Sequence, residues 1–515
     1  MLFPNGFIVK LSTAITLLTL FISNGVVGQE MLDQPFTINE GTLRTIDALD
    51  AVSLKTGYSF TYDSRLIDPE KKVRLSFDQT PLREVLRSIL QNDSLEFSLI
   101  DKYIVISRTR KEGSLRSSPP AVAGFISGTI VDEETGEPLP FATIGFKNIQ
   151  RGTVTNNNGG FGLNVPSQSY DDTLYVSYLG YIERKIPVEQ ASGSNMVIKM
   201  RREYISIPEI IIRNQIPQDI IFKAYQAIPE NYGKTPALMT GFYREGVLRK
   251  NELQTYSEAI LKIYKSPYST SFQNDQIVVI KSRKIENLDR SDTLAVRLKA
   301  GLSTSLELDG ARNFYDFINP ESIKDYNFRL TDIVRYGDES AYAIEFESRQ
   351  NSEFSFFRGT IFINTYDFGI LNVDFEITPS RIDKIKESFI SSSSGGFVTW
   401  PVSVKYNVTY RKAGNRYFLS HVRGDLIFAS KQKRKLFNSQ FKVFFELAIT
   451  GTELENVKRF DREELAPIHS VFSETIKTYD KSFWKDMDFL RPEDNLLEAL
   501  KNMKAKLMEF SEGDE

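Results

Sequence analysis

The chain contains two histidines, His421 and His469. An imidazole can serve as a general base or a metal ligand, but each role needs partners at a defined spacing. The two lie far apart, and neither belongs to a His-Glu-x-x-His pattern or sits beside a second ligand-type pair, which argues against a zinc site. His421 follows Leu419 on an alternating, strand-like run, so a structural or exposed histidine is expected there. No Gly-x-Ser-x-Gly elbow and no phosphate-cradling glycine loop occurs. Carboxylates are left. Asp486 and Asp488 stand beside Trp484 and Phe489, and two acids could in principle cleave a glycosidic bond, although a helix cap or a rim is the plainer use. Asp132, Glu133, Glu134 and Glu137 gather in one turn without the ligand spacing of a calcium loop, so a solvated acidic turn is expected. Residues 431–435 (KQKRK) follow an apolar run and read as a hairpin tip, with acidic lipid headgroups or lipopolysaccharide as the alternative contact. The sequence therefore offers no residue set to name as catalytic, cofactor-binding or metal-ligating.

Composition narrows the classes further. At 515 residues the chain has room for about two to four domains. With 37 Phe and 23 Tyr against 2 Trp, it is rich in side chains that suit half-buried pleated surfaces. A net charge of −3 supplies no field to recruit nucleic acid. The absence of cysteine excludes disulfides, thiolate catalysis, Cys-ligated zinc and lipid attachment through Cys. Residues 1–28 read as a signal peptide: Lys10 precedes an apolar run over 11–22 that is short for a membrane span, and Val26 and Gly28 sit at cleavage spacing. The expected mature chain begins at Gln29, is exported, and fits a periplasm.

Four regions follow. Residues 29–108 alternate strand-like runs with two helices. The first helix carries Leu43, Ile46, Leu49 and Val52 and ends at Gly57. The second is opened by Thr80 as N-cap and Pro81 in the first turn, with a stripe of Leu82, Val85, Leu86, Ile89 and Leu90. Residues 109–124, basic and Ser-rich with Pro119-Pro120, form a semi-flexible linker. In residues 125–201 short strands are broken by Asn, Asp, Gly and Pro, the pattern of a small Ig-like or transthyretin-like sandwich that would act as a spacer. Residues 214–490 open with a helix over 219–228 ended by Pro229. They continue as an antiparallel meander in which Tyr342, Ile344 and Phe346, Leu371, Val373, Phe375 and Ile377, and Val402, Val404, Tyr406, Val408 and Tyr410 each alternate with polar residues. Hairpin turns fall at Gly337-Asp338, residues 366–369 and residues 413–415. Residues 491–515 form an amphipathic helix with Leu496, Leu500, Met503, Leu507 and Phe510, then an acidic tail. The fold class is mainly β and multidomain (α+β), with a small βαβ-type first domain, the sandwich, and a meander that could curl into a half-barrel flanked by helices.

Several segments resemble known families. Residues 42–49 (TLRTIDAL), 57–60 (GYSF) and 80–86 (TPLREVL) resemble the secretin and TonB short N-terminal domain. That resemblance implies a non-catalytic periplasmic module that docks on protein partners, for which the free edge of a small sheet offers a route. Gly128-x-Ile130-Val131-Asp132, residues 135–143 (TGEPLPFAT), Gly159-Gly160-Phe161 and residues 178–181 (YLGY) resemble the carboxypeptidase-regulatory-like domain of exported Bacteroidota proteins, which accompanies peptidases and does not cleave. Where that pattern has an Asp-x-x-Gly turn, this chain has Asn156 to Gly159, keeping turn chemistry and losing a carboxylate. Residues 359–364 and 366–371 are similar to strands of periplasmic lipoprotein-carrier half-barrels. Residues 227–232 (AIPENY), 241–245 (GFYRE), 257–259 (SEA), 281–284 (KSRK) and 482–484 (SFW) resemble the soluble part of an uncharacterised Bacteroidota outer-membrane family. Asp93-Ser94-Leu95, Asp172-Thr173-Leu174 and Asp292-Thr293-Leu294 resemble Bacteroidota O-glycosylation sites. Together these point to a non-enzymatic periplasmic scaffold or docking protein for an outer-membrane transport or assembly complex, working through an envelope protein partner. The alternatives are a carrier of a lipid or lipoprotein acyl chain and, third, a hydrolase with an unrecognised carboxylate site.

Overall fold

The computed structural model describes residues 31–62, 68, 71–92, 95–100, 103–108, 122–191, 193–203, 215–250, 252–269, 274–286, 301–353, 355–385, 397–432, 438–467, 472, 490–493, 496 and 498. The expected signal peptide, most of the linker, His469, Asp486, Asp488, residues 433–435 of the basic run, Ser94, residues 292–294, residues 482–484 and nearly all of 491–515 beyond position 493 lie outside them. Among the described residues no helix is long and apolar enough to cross a membrane. The chain divides into two compact units, residues 1–117 and 118–515.

The first unit runs β1 (Pro35–Arg44), α1 (Thr45–Thr56), β2 (Ser59–Tyr62), β3 (Lys72–Pro81), α2 (Leu82–Leu90), β4 (Leu95–Ile100) and β5 (Tyr103–Arg108). β1 and β3 pair antiparallel, and β2, β5 and β4 form a second sheet in which β2 is parallel to β5. Each helix thus passes from the two-stranded to the three-stranded sheet. Gly57 ends α1 at φ +76, returning its N–H to the Ser53 carbonyl. The buried stripe of α1 is Thr45, Ala48, Leu49 and Val52; Leu43 belongs to β1 and Ile46 is half-buried. Thr80 does not cap α2. It lies in β3 with its hydroxyl donating to the Asp78 carbonyl, and the first free helical donor, Leu82 N–H, is taken by the Gln34 carbonyl instead. Leu82, Val85, Leu86 and Ile89 are buried as the periodicity predicts.

The second unit opens with the sandwich: β6 (Val122–Asp132), β7 (Thr143–Phe146), β8 (Gly152–Val154), β9 (Gly160–Pro166), β10 (Thr173–Ser177), β11 (Arg184–Pro187) and β12 (Gly193–Met200). Its sheets, ordered β12-β6-β9 and β11-β10-β7-β8, enclose Ile130, Ile144, Phe161, Leu163, Leu174 and Val176. β6 starts inside the last residues expected for the linker, because its pairing with β9 already begins at Val122.

α3 (Pro217–Asn231) carries Pro217 in its first turn and runs two residues past Pro229, until Tyr232 N–H closes on the Ile228 carbonyl. Then come β13 (Ala237–Arg249), β14 (Glu252–Lys265), β15 (Gln276–Glu286), the short helices α4 (Gly301–Glu307) and α5 (Gly310–Asn313), and β16 (Tyr326–Tyr336), β17 (Glu339–Ser348), β18 (Phe357–Asn364), β19 (Ile370–Ile377), β20 (Phe397–Ala413), β21 (Arg416–Gln432) and β22 (Ser439–Glu453). These strands form one antiparallel sheet of ten, ordered β15-β14-β13-β22-β21-β20-β19-β18-β17-β16. It is two meanders rather than one, since β22 returns to pair with β13, and it stays open, with β15 and β16 at its edges. Two-residue turns at Gly337-Asp338 and Gly414-Asn415 use glycines at φ +56 and +60. Val402 is 41% exposed, against expectation, because the pairing slips between Pro401 and Ser403 and leaves it in the bulge.

One face of the sheet carries the main core. Ile220, Ile221, Ala224 and Ile228 of α3 pack there with strand residues and with the loop after α5. Phe317 stacks on Phe346 at 3.9 Å and meets Phe375 at 5.6 Å, while Tyr232 contacts Tyr268, Tyr410 and Tyr417 at 5.2 to 5.6 Å. This is the face the carrier alternative would use, and aromatic side chains fill it.

Candidate functional site

The opposite face carries a row of polar side chains in register across all ten strands. From β15 to β16 it reads Arg283, Glu258, Arg244, Glu446, Arg423, Asn407, Asp374, Thr360, Glu345, Arg329, each directly opposite the next. Opposite charges on facing strands attract, so the row fixes register as well as adding cross-strand energy. The stretch from Glu258 to Arg423 is buried, with Arg283 half-buried at its end: Glu258, Arg244 and Glu446 have no solvent contact and Arg423 is 4% exposed. Arg244 donates through Nε to Glu446 Oε2 at 2.7 Å, and Arg423 Nη1 reaches the same oxygen at 3.0 Å. The other oxygen, Oε1, lies 2.8 Å from His421 Nε2. Desolvation alone would raise the Glu446 pKa, but Arg244, Arg423 and His421 outweigh it and hold the carboxyl well below the usual range. The second half, from Asn407 to Arg329, is half-buried or exposed.

Residues 490–493 lie across the buried half. Leu490 sits on Phe242, Ile260 and Ala448, and Leu496 on Leu253, Tyr256 and Phe444. Between them Glu493 Oε1 approaches Arg423 Nη1 at 3.1 Å, and Arg244 Nη1 donates to the Arg491 carbonyl at 3.4 Å. The sandwich grips this strap through the Asn156 turn. Asn156 Nδ2 donates to the carbonyls of Arg491 and Pro492 at 2.9 and 3.0 Å, and Asn157 Nδ2 to Glu493 at 2.8 Å. Meanwhile Asn156 Oδ1 accepts from the N–H groups of Asn158 and Gly160, closing its own turn. An aspartate could close that turn but could not donate to the strap, which gives the missing carboxylate a physical reason.

The sandwich is therefore fixed on the sheet, not a free spacer. Thr452 N–H donates to the Gln150 carbonyl at 3.0 Å and Gly180 N–H to the Arg335 carbonyl at 2.8 Å. The Phe141 ring, on a backbone held at φ +62, lies 4.9 Å from the His421 ring. Beside these contacts, sandwich and sheet wall a cleft of about 750 Å³. The sandwich contributes the turn after Asp132, Tyr178 and Arg202; the sheet contributes Asp332, Tyr336, Asp374, Lys405, Asn407 and Asp425. Asp132 leaves the acidic turn in which the sequence placed it and is buried at the sandwich corner, while Glu133, Glu134 and Glu137 stay exposed. The Tyr181 hydroxyl donates to Asp132 at 2.6 Å, the Thr135 and Glu134 N–H groups bond its other oxygen, and Arg202 lies 3.2 Å away; in that order of effect they bring its pKa down to about 2. Burial pushes the Tyr178 hydroxyl up to about 12, which leaves it protonated.

His421, the one histidine within the described residues, is sealed under Phe141 and tied to Glu446, so no substrate reaches it in this arrangement. A second buried network escaped the sequence reading. On the core side Lys265 Nζ sits 2.7 Å from Asp275 and 2.6 Å from Asp309, whose other contacts are the Tyr268 and Tyr410 hydroxyls. Burial opposes its charge, but the two carboxylates outweigh burial and raise its pKa, so it is a charged strut rather than a free amine. Among the described residues no group of three or more His, Cys, Asp or Glu side chains could hold a metal ion. Lys431, at the end of β21, is the described cation of the basic run and is exposed. Asp172, of the described glycosylation-like triplet, is buried with its carboxylate bonded to Asn148 and the Thr173 N–H.

Residues 126–212 match the family described as CarboxypepD_reg-like domain. The TonB-dependent receptor SusC of Bacteroides thetaiotaomicron is 26% identical over 164 residues, 31% of this chain; the alignment spans 16% of the receptor's length. Among solved structures, a DUF1329 family protein from Desulfovibrio piger aligns with 49% of this chain and all of its own at 11% identity, with a TM-score of 0.22. A putative outer membrane lipoprotein-sorting protein domain from Vibrio parahaemolyticus covers 47% of this chain and 95% of its own at 10% identity and a TM-score of 0.21. A LolA superfamily protein from Nitrosomonas europaea covers 47% and 96% at 13% identity and a TM-score of 0.17. TM-scores this low carry no argument about this chain. Residues 126–212 are thus a CarboxypepD_reg-like domain, and its docking on the ten-stranded sheet is what shapes the cleft.

Proposed function

We propose that this is a non-enzymatic docking protein of the bacterial envelope, exported to the periplasm and acting beside an outer-membrane transport or assembly complex. The observation that carries the reading is the clamped junction of sandwich and sheet. Its interior charges are consumed in fixed mutual pairs, and beside them it presents a preformed polar cleft walled by both sandwich and sheet. Preformed surfaces bind with less ordering cost than flexible ones. The likeness of one segment to a TonB-dependent receptor supports the envelope setting. The first unit, with its two helices and small sheets, is read as a secretin and TonB short N-terminal-like module, a further docking element that can accept a partner strand at a sheet edge. Exposed Lys431 and the basic run after it would meet acidic headgroups at the outer membrane.

The reading is tested by photo-cross-linkers placed at Glu137 on the sandwich side and Arg329 on the sheet side in the native host. A discrete adduct with an outer-membrane protein is expected. A protein that fractionates away from the envelope and forms no adduct at either position ends the reading. The carrier alternative would require the aromatic-filled face of the sheet to open, and the hydrolase alternative would need an acid pair outside the charges described above.

A further inference from the structure

The cleft is electrostatically one-sided. Six carboxylates line it against three cations. Two of those cations are engaged within it, Arg202 with Asp132 at 3.2 Å and Arg423 with Asp425 at 2.8 Å, and the third, Lys405, lies 3.5 Å from Glu376. Glu203 is met by Arg335 at 3.3 Å. Asp374, Asp332 and Glu137 form no ion pair among the described residues, and all three are exposed. They stand on different elements, β19, β16 and the turn after β6, and so surround the cleft rather than crowd one spot. Leu139, Leu179, Ile333 and Phe362 supply apolar wall between them.

We infer that the cleft receives an extended segment of a partner protein that carries Lys or Arg side chains. Such side chains lay their methylene stems on apolar surface and carry the charge to the edge, which matches apolar walls rimmed by unpaired carboxylates. A volume of about 750 Å³ lies in the range of specific ligand sites and suits a few residues of extended chain. A bare metal ion fits less well, since no cluster of three ligands converges among the described residues. The inference rests on the docking reading and names the chemistry of the partner.

The test uses the full chain and a short fluorescent peptide alternating Lys and Val, with a Glu and Val peptide and spermidine as comparisons, read by anisotropy at low and at physiological salt. The variant Asp332→Asn with Asp374→Asn should bind the Lys peptide about tenfold more weakly. The charge-matched control Glu230→Gln with Glu252→Gln, outside the cleft, should bind as the parent does. Equal losses in the two variants would mean attraction to net charge and would overturn the inference, as would undiminished binding by the cleft variant. Competition by spermidine as effective as that of unlabelled peptide would overturn the choice of a protein segment. The substituted side chains are exposed and isosteric, and an unchanged melting temperature confirms folding. Peptide binding without any envelope adduct would sink the docking role yet leave the cleft chemistry standing; an adduct without peptide binding would do the reverse.

Discussion

Arg244 and Glu446 face each other on adjacent strands with no solvent contact, their charged atoms 2.6 Å apart. Removing two ions from water is costly, and here the cost is offset by a third ion, Arg423, on the same carboxylate oxygen. A buried pair of this kind is weak evidence of stability but strong evidence of dependence. Breaking one side leaves Glu446 in a buried site with Arg423 and His421 but without its nearest guanidinium. Arg244→Met should lower unfolding free energy by about 3 to 5 kcal/mol in urea titrations. Adding Glu446→Leu to it should recover part of the loss, because the buried carboxylate that lost its nearest guanidinium is gone and Arg423 still has Asp425 and Glu493. A double variant no better than the single one would show that the pair contributes through something other than charge compensation.

The row to which this pair belongs was only partly legible in the sequence. Alternation along β17, β19 and β20 marks Glu345, Asp374 and Asn407 as the polar side of half-buried strands, and that is where they stand. Alternation cannot say that Arg244, Glu258 and Glu446 are buried on the polar side, because that depends on what covers them. The covering strap lies 335 residues from Asn156 along the chain, and Arg244 lies 202 residues from Glu446. A signal existed nonetheless. The family-like segments 241–245, 257–259 and 281–284 contain Arg244, Glu258 and Arg283, which fall side by side on β13, β14 and β15 once the strands pair. The core stripe of α2 and the sandwich turns were readable because they rest on local periodicity and turn chemistry. The missed cap at Thr80 was not, since a distant acceptor, the Gln34 carbonyl just before β1, takes the Leu82 N–H in its place.

Acid should loosen the sandwich corner in a defined window. Asp132 is held near a pKa of about 2, below its ordinary unfolded value of about 3.9. A depressed carboxyl stabilises the fold fully above the unfolded value, and the stabilisation is lost as pH falls through the folded one. Urea midpoints should therefore drop between about pH 4 and pH 2. Asp132→Asn should be less stable at neutral pH and show a flatter acid limb. Glu446, also depressed, will add to the drop in both proteins, so the difference between the two curves is the quantity to read.

The strap predicts an asymmetry between two conservative changes at one turn. Asn156→Asp keeps the acceptor that closes the turn and removes both donations to the Arg491 and Pro492 carbonyls. It also places a carboxylate against two carbonyl oxygens. Buried groups left unsatisfied cost about 1 to 3 kcal/mol each, so this change should be at least as harmful as Asn156→Ser, whose shorter side chain loses the reach to the strap and closes the turn more weakly but adds no charge. Limited proteolysis should show faster cleavage of the C-terminal segment in the Asp variant. Protection equal to the parent's in both variants would mean that the strap is held without the Asn156 donations, by Leu490, Leu496 and the contacts of Arg244, Arg423 and Asn157.

On the core side, Phe317 decides between a packed and a ligand-bearing sheet. Its ring is fully buried, stacks on Phe346 and meets Phe375, Tyr326 and Phe357 edge-on. If these rings are the core, Phe317→Ala removes both their packing and the surface they bury. It should then cost about 3 to 5 kcal/mol with the melting temperature falling accordingly. If the face instead closes over a bound acyl chain, the smaller residue would enlarge the space for it. Native mass spectrometry of parent and variant from the native host should show bare protein in both. A lipid adduct on the parent, or a variant whose lost stability returns on adding a fatty acid, would turn the sheet from a filled core into a carrier.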